Sequence, residues 1–132
     1  MADSRYLSSI GGFGTETLTI FPLEGEVTSY VFNRADFWKM LQDWVADVRD
    51  GRNLWLDNIR ERLGELRFTS GRIGIAGLSG PTRTPDWLIP YVTVDGIAKA
   101  YPGAEIVNAT VMMREARGIK SAEEIALMRR VM

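Results

Sequence analysis

Between Thr15 and Val48 the spacing of apolar residues lengthens from two to between three and four, and this change decides the fold class before any motif is considered. Thr15 to Phe21 alternates polar and apolar residues, with Leu18 and Ile20 on one face, and Val27 to Phe32 is rich in β-branched and aromatic residues. Pro22-Leu23-Glu24-Gly25 between them predicts a turn in which Gly25 takes a positive φ, so the two segments read as an antiparallel hairpin. Past Asn33, which suits a helix N-cap, Phe37, Leu41, Trp44 and Val48 recur at helical spacing, widened by Trp38 and Val45. Trp44 to Val48 also reads as a short strand closed by a turn at Asp50-Gly51.

A second helix follows, with Leu56, Ile59, Leu63 and Leu66 inward and Arg60, Glu61, Arg62, Glu65 and Arg67 outside. Gly64 inside it costs about 1 kcal/mol relative to Ala, which predicts close packing at that point. Arg72 to Ala76 predicts a buried strand, Leu78 to Thr84 a loop, and Pro90 to Tyr101 a helix with Val94, Ile97, Ala98 and Tyr101 inward. Ala104 to Val107 reads as another strand, and Asn108 as the cap of a brief helix through Met112 and Met113. Ser121-Ala122-Glu123-Glu124 matches the S-x-x-E capping box and opens a last helix with Ile125, Met128 and Met132 as its apolar stripe. Strands interleaved with helices after a hairpin imply an α/β fold, a mixed β-sheet flanked by helices, with the sheet opening almost at residue 6. The last stripe runs on to Val131-Met132 without a stop signal, which predicts a piece of a longer chain.

Composition removes whole classes of chemistry. A chain of 132 residues suits one domain. With no cysteine and no histidine it has no disulfide, thiol nucleophile, Ser-His pair or histidine metal ligand, and the expected compartment is cytoplasmic. Its 16 basic and 17 acidic residues give no field suited to nucleic acid, and no apolar run or leader pattern predicts a membrane span.

Few local motifs suggest a site. Gly74-Ile75-Ala76-Gly77-Leu78-Ser79-Gly80 follows a strand, but neither phosphate-loop spacing fits, and Pro81 and Pro85 stand where a helix would begin. Ser79 has no histidine to activate it. Asp43, Asp47, Asp50 and Asp57 would suit a magnesium site, yet read more simply as a solvated face and a turn. Met112, Met113, Met128 and Met132 read as core filler, Trp38 and Trp44 as core, and Trp55 and Trp87 as candidates to face a neighbour. Phe13, among Gly11, Gly12 and Gly14, is either part of a hairpin approach or an aromatic presented to a ligand or partner.

The run Arg114-Glu115-Ala116-Arg117-Gly118-Ile119-Lys120-Ser121-Ala122-Glu123-Glu124-Ile125-Ala126-Leu127-Met128-Arg129 closely resembles the R-x-I-K-S-x-x-E-I-x-x-[LM]-R segment of the creatinase, aminopeptidase P and prolidase family of metallopeptidases. Tyr6-Leu7 leading to Gly12-Phe13 looks like that family's Y-L-x-G-F, with a longer spacing, and Arg72-Ile73-Gly74-Ile75 like its R-I-G-I strand. The resemblance implies a creatinase-type N-terminal domain with a ribonuclease H-like motif over residues 1–120, lacking the first helix and strand. Residues 121–132 would then start the linker helix to a catalytic domain outside this chain.

The resemblance further implies that the chain carries no catalytic residue and no metal ligand. The divalent metal pair, whether manganese, zinc or cobalt, would belong to the catalytic domain of a parent hydrolase, an aminopeptidase, prolidase or creatinase acting on a small peptide or amide. Such domains support a homodimer or higher homo-oligomer, so Tyr6, Gly12 and Phe13 are expected to shape a neighbouring subunit's substrate pocket. Arg117, Lys120, Ser121 and Glu124 are expected to brace the domain junction. The alternative is a stand-alone protein-binding or assembly module without hydrolase activity.

Overall fold

The computed structural model describes residues 2–11, 16–79 and 88–131. Its elements run α1 (Ala2–Ser8), β1 (Thr17–Ile20), β2 (Thr28–Val31), α2 (Ala35–Met40), β3 (Asp47–Asp50), α3 (Trp55–Glu65), β4 (Gly71–Ile75), α4 (Tyr91–Ala100), β5 (Ala104–Asn108), α5 (Thr110–Gly118) and α6 (Ala122–Val131). The fold is mixed α/β, and helices flank a small mixed sheet. The sheet does not open near residue 6: Tyr6 and Leu7 lie in α1, and β1 begins at Thr17.

The predicted hairpin is present. β1 and β2 pair antiparallel from Thr17 opposite Val31 to Ile20 opposite Thr28, and Gly25 has φ +105° in the connection. Hydroxyls fasten α1 to this hairpin: Ser4 Oγ lies 2.5 Å from Thr19 Oγ1, which lies 3.0 Å from Ser29 Oγ.

The segment after the hairpin takes the strand reading, not the continuous helix, but the strand runs from Asp47 to Asp50 and not from Trp44 to Val48. α2 ends at Met40, and β3 pairs parallel with β2, with Thr28 opposite Asp47 and Val31 opposite Asp50. Gln42 provides the stop, because its Oε1 accepts from the N–H groups of Trp44 and Val45 while its Nε2 donates to the Val45 carbonyl. A side chain that ties down its own downstream backbone competes with helix continuation. Val45 and Val48 therefore enter the core with Ile10 and Val31, whereas Trp44 is 61% exposed and donates its indole N–H to the Leu7 carbonyl at 2.6 Å. Asn33 is not the cap: Arg34 takes that position at φ 63°, and Asp50 on β3 accepts from the Ala35 N–H at 2.8 Å.

α3 buries Leu63 and half-buries Leu56, Ile59 and Leu66, as its periodicity predicts. Arg62, expected outside, is buried, because its guanidinium donates to the Glu26 carbonyl and to Glu65, each at 2.8 Å. Gly64 is exposed, and among the described residues a Cβ added there would meet nothing within 4 Å. The close helix approach occurs instead at Gly96 of α4, where an added Cβ would collide with the Leu56 side chain of α3.

β4 and β5 form a separate two-stranded parallel sheet, with Gly71 opposite Ala104 and Ile75 opposite Asn108. β4 is not the buried strand its apolar character predicts: Gly71, Arg72 and Gly74 are exposed, and Ile73 and Ile75 only half-buried. Phe68 and Tyr101 meet edge to face at 5.8 Å, and the Tyr101 hydroxyl donates to the Arg60 carbonyl, which anchors this unit to α3. On α4, Ile97 is inward and Ala98 is exposed. Asn108 accepts from the Thr110 N–H at 3.0 Å, and α5 continues past Met113 to Gly118. Of the predicted methionine filler Met113 is buried, Met112 and Met128 are exposed, and Met132 lies outside the described residues.

Candidate functional site

The residues expected to brace a domain junction gather at the corner where α5 turns into α6. Gly118 ends α5, Ile119 is extended, and Ser121 starts α6 with a reciprocal cap. The Glu124 N–H donates to Ser121 Oγ at 3.1 Å, and the Ser121 N–H donates to the Glu124 carboxylate at 2.8 Å. Two otherwise orphaned helix-end donors are thereby satisfied, as the S-x-x-E spacing requires.

α1 supplies the other side of the corner. Asp3 and Tyr6, three residues apart, share one face of that helix. Asp3 Oδ1 lies 2.7 Å from Arg117 Nε in an ion pair partly shielded from water. The Tyr6 hydroxyl donates to the Ala116 carbonyl at 3.2 Å, and Lys120 Nζ sits 5.6 Å from the centroid of the Tyr6 ring. Lys120 also donates to the Arg117 carbonyl and lies 3.7 Å from Glu124. Each contact is small, about 0–1 kcal/mol for a partly exposed pair and about 0.5–1 kcal/mol for an exposed cation over a ring. Together they tie α1 to the corner between α5 and α6.

The structure thus brings Tyr6 together with Arg117, Lys120, Ser121 and Glu124, although the resemblance gave Tyr6 a different role from the other four. Gly12 and Phe13 lie outside the described residues, as do Gly80, Pro81, Pro85 and Trp87. The aspartates expected to line a solvated face divide. Asp47 and Asp50 hold backbone and side-chain partners, whereas Asp43 and Asp57 are exposed. Among the described residues no three acidic side chains converge as a metal site.

One polar cluster was not anticipated from the sequence. Arg49 on β3 makes paired hydrogen bonds to Asp47 at 2.8 Å and to Glu65 of α3 at 2.6 and 2.8 Å, and its guanidinium lies 5.7 Å from the centroid of the Tyr30 ring. Tyr30 donates its hydroxyl to Glu61 at 3.1 Å, and Thr28 donates to Asp47 at 2.7 Å. Hydrogen bonds from Arg49 and then Arg62 hold the Glu65 carboxyl down at about 2. Burial pushes the Asp47 carboxyl up, but the bonds from Arg49 and Thr28 outweigh it and leave the group below its ordinary value. Burial above all pushes the Tyr30 phenol up to about 12, against the pull of Arg49 and with a further push from Glu61. Glu65, foremost, and Asp47 hold Arg49 more firmly charged than usual.

The shifts of Asp47, Glu65, Arg49 and Tyr30 all carry these groups further from neutrality, which suits a clamp between sheet and helix and not acid–base chemistry. The one available signal was the Asp47-Val48-Arg49 spacing, since residues two apart on a strand share a face. Compared with known proteins, the chain matches no family model, and no curated protein or solved structure is significantly similar to it.

Proposed function

We propose that this chain is the non-catalytic N-terminal domain of a metal-dependent hydrolase resembling aminopeptidase P, prolidase or creatinase. The observation that carries the proposal is the α5–α6 corner. The R-x-I-K-S-x-x-E run, the basis of the resemblance, forms a braced helix start whose continuation is not covered by the described residues. Except for half-buried Glu124, every residue from Ala122 to Val131 is exposed, Ile125, Leu127, Met128 and Val131 included. A following catalytic domain would bury that stripe. It would supply the divalent metal pair, manganese, zinc or cobalt, and with it the Lewis-acid chemistry for hydrolysing a small peptide or amide.

In this reading the fragment is inert by itself, and it supports assembly of a homodimer or higher homo-oligomer. Tyr6 serves the junction, whereas Gly12 and Phe13 remain the residues proposed to approach a neighbouring subunit's pocket. The test begins with the coding sequence beyond codon 132. A continuation rich in aspartate, glutamate and histidine ligands, whose product hydrolyses Xaa-Pro peptides or creatine when given manganese, is the expected result. A continuation without such ligands would overturn the proposal and leave the assembly-module reading. In the active enzyme Phe13→Ala should change kcat/KM differently for different substrates, and unchanged values across substrates would remove Phe13 from the pocket.

A further inference from the structure

We propose that the cleft between the end of β2 and α2 binds a small monocarboxylate bearing an aromatic or branched apolar body. The inference stands independently of the family resemblance. The cleft is open to solvent, has a volume of about 410 Å³, and its lining includes Glu16, Arg34, Phe37, Trp38 and Asn53.

Arg34 is its centre. The guanidinium carbon lies 4.5 Å from the centroid of the Phe37 ring, and Phe37 meets Trp38 edge to face at 5.7 Å, so an exposed cation lies over an aromatic pair. Among the described residues this guanidinium meets no carboxylate, unlike that of Arg49. Its planar donor fork matches a carboxylate in paired geometry, and the two rings offer an apolar wall beside it. Asn53 adds a carboxamide able to donate and accept. Recognition does not rest on the end of α2, which has six residues and whose first N–H is already taken by Asp50. Arg34 and Asn53 both hold left-handed backbone, at φ 63° and 60°, a conformation disfavoured for residues with a Cβ and concentrated at ligand sites.

The test titrates 3-phenylpropionate into the 15N-labelled 132-residue chain and follows amide and indole shifts. Saturable changes at Arg34, Asn53 and the Trp38 indole are expected. Binding of 3-phenylpropionamide and of inorganic phosphate should be at least about tenfold weaker. Arg34→Asn keeps a residue that tolerates left-handed backbone, removes the guanidinium, and should lose at least about tenfold in affinity. Arg52→Asn, at another left-handed arginine outside the cleft lining, should bind as the unaltered chain does. Absence of saturable shifts at the cleft, or equal binding of acid and amide, would overturn the proposal. So would an undiminished Arg34→Asn variant. The comparison of acid with amide on the unaltered chain decides the matter even if Arg34→Asn fails to fold.

Discussion

In the β2-α2-β3 unit all four residues of β2 are buried, whereas in β4-α4-β5, with the same parallel pairing, no strand residue is more than half-buried. The difference lies in cover. β2 has a strand on each side, α1 fastened by hydroxyls, and α3 held by the Arg49 clamp. β4 and β5 are each an edge, and they join the rest through α3, α4 and the aromatic contact of Phe68 with Tyr101. Parallel sheets are ordinarily covered on both faces, so the second unit presents surface that the described residues leave open. Backbone pairing alone therefore does not distribute stability; the side chains above and below the sheet do.

The sharpest way to break this comparison is a pair of truncations. Ile10→Ala, at a fully buried site packed with Val31, Val45 and Val48, should cost about 2–5 kcal/mol in urea unfolding. Ile75→Ala on half-buried β4 should cost less than half as much, and equal losses would show the two units to be equally packed.

Arg49→Met comes next. It leaves Asp47 and Glu65 without their shared cation, and Tm should fall by several degrees, less than for Ile10→Ala because the clamp is partly in water. The pH dependence follows from the shifted groups. Glu65 sits lower when folded, so its contribution is full above its ordinary value of 4.5 and is lost as the pH falls toward about 2. Tyr30 sits higher when folded, so its contribution is full below 10 and is lost as the pH rises toward about 12. Thermal melts across pH should show a falling limb in each window, and Arg49→Met should flatten the acid one.

The smallest effect has the opposite sign. Gly64 is an exposed helix-interior glycine with open space around its Cα, so Gly64→Ala should stabilise the chain by about 0.5–1 kcal/mol in urea unfolding. Gly96→Ala, forced against Leu56, should destabilise it, and the same sign for both would contradict the packing of α3 on α4.

What was legible in the sequence was local. The hairpin turn at Gly25, the apolar faces of α3 and α4, and the Ser121–Glu124 cap each depend on residues within a few positions of one another. The misread features depend on distant partners or on one competing side chain. Arg62 is inside because a carbonyl 36 residues away accepts its hydrogen bond, and Tyr6 joins the α5–α6 corner through residues more than a hundred positions on. Helical spacing through Trp44 and Val48 was real as a pattern, but Gln42 ended the helix. For β4, Ile73 and Ile75 reveal an appetite for burial and not whether anything satisfies it.

Native-state hydrogen exchange tests the contrast between the units most directly. Ser29, Tyr30, Val48 and Arg49 should exchange only through global unfolding, while amides of β4, β5 and α6 should exchange earlier through partial opening. Uniform protection across both sheets and α6 would contradict it.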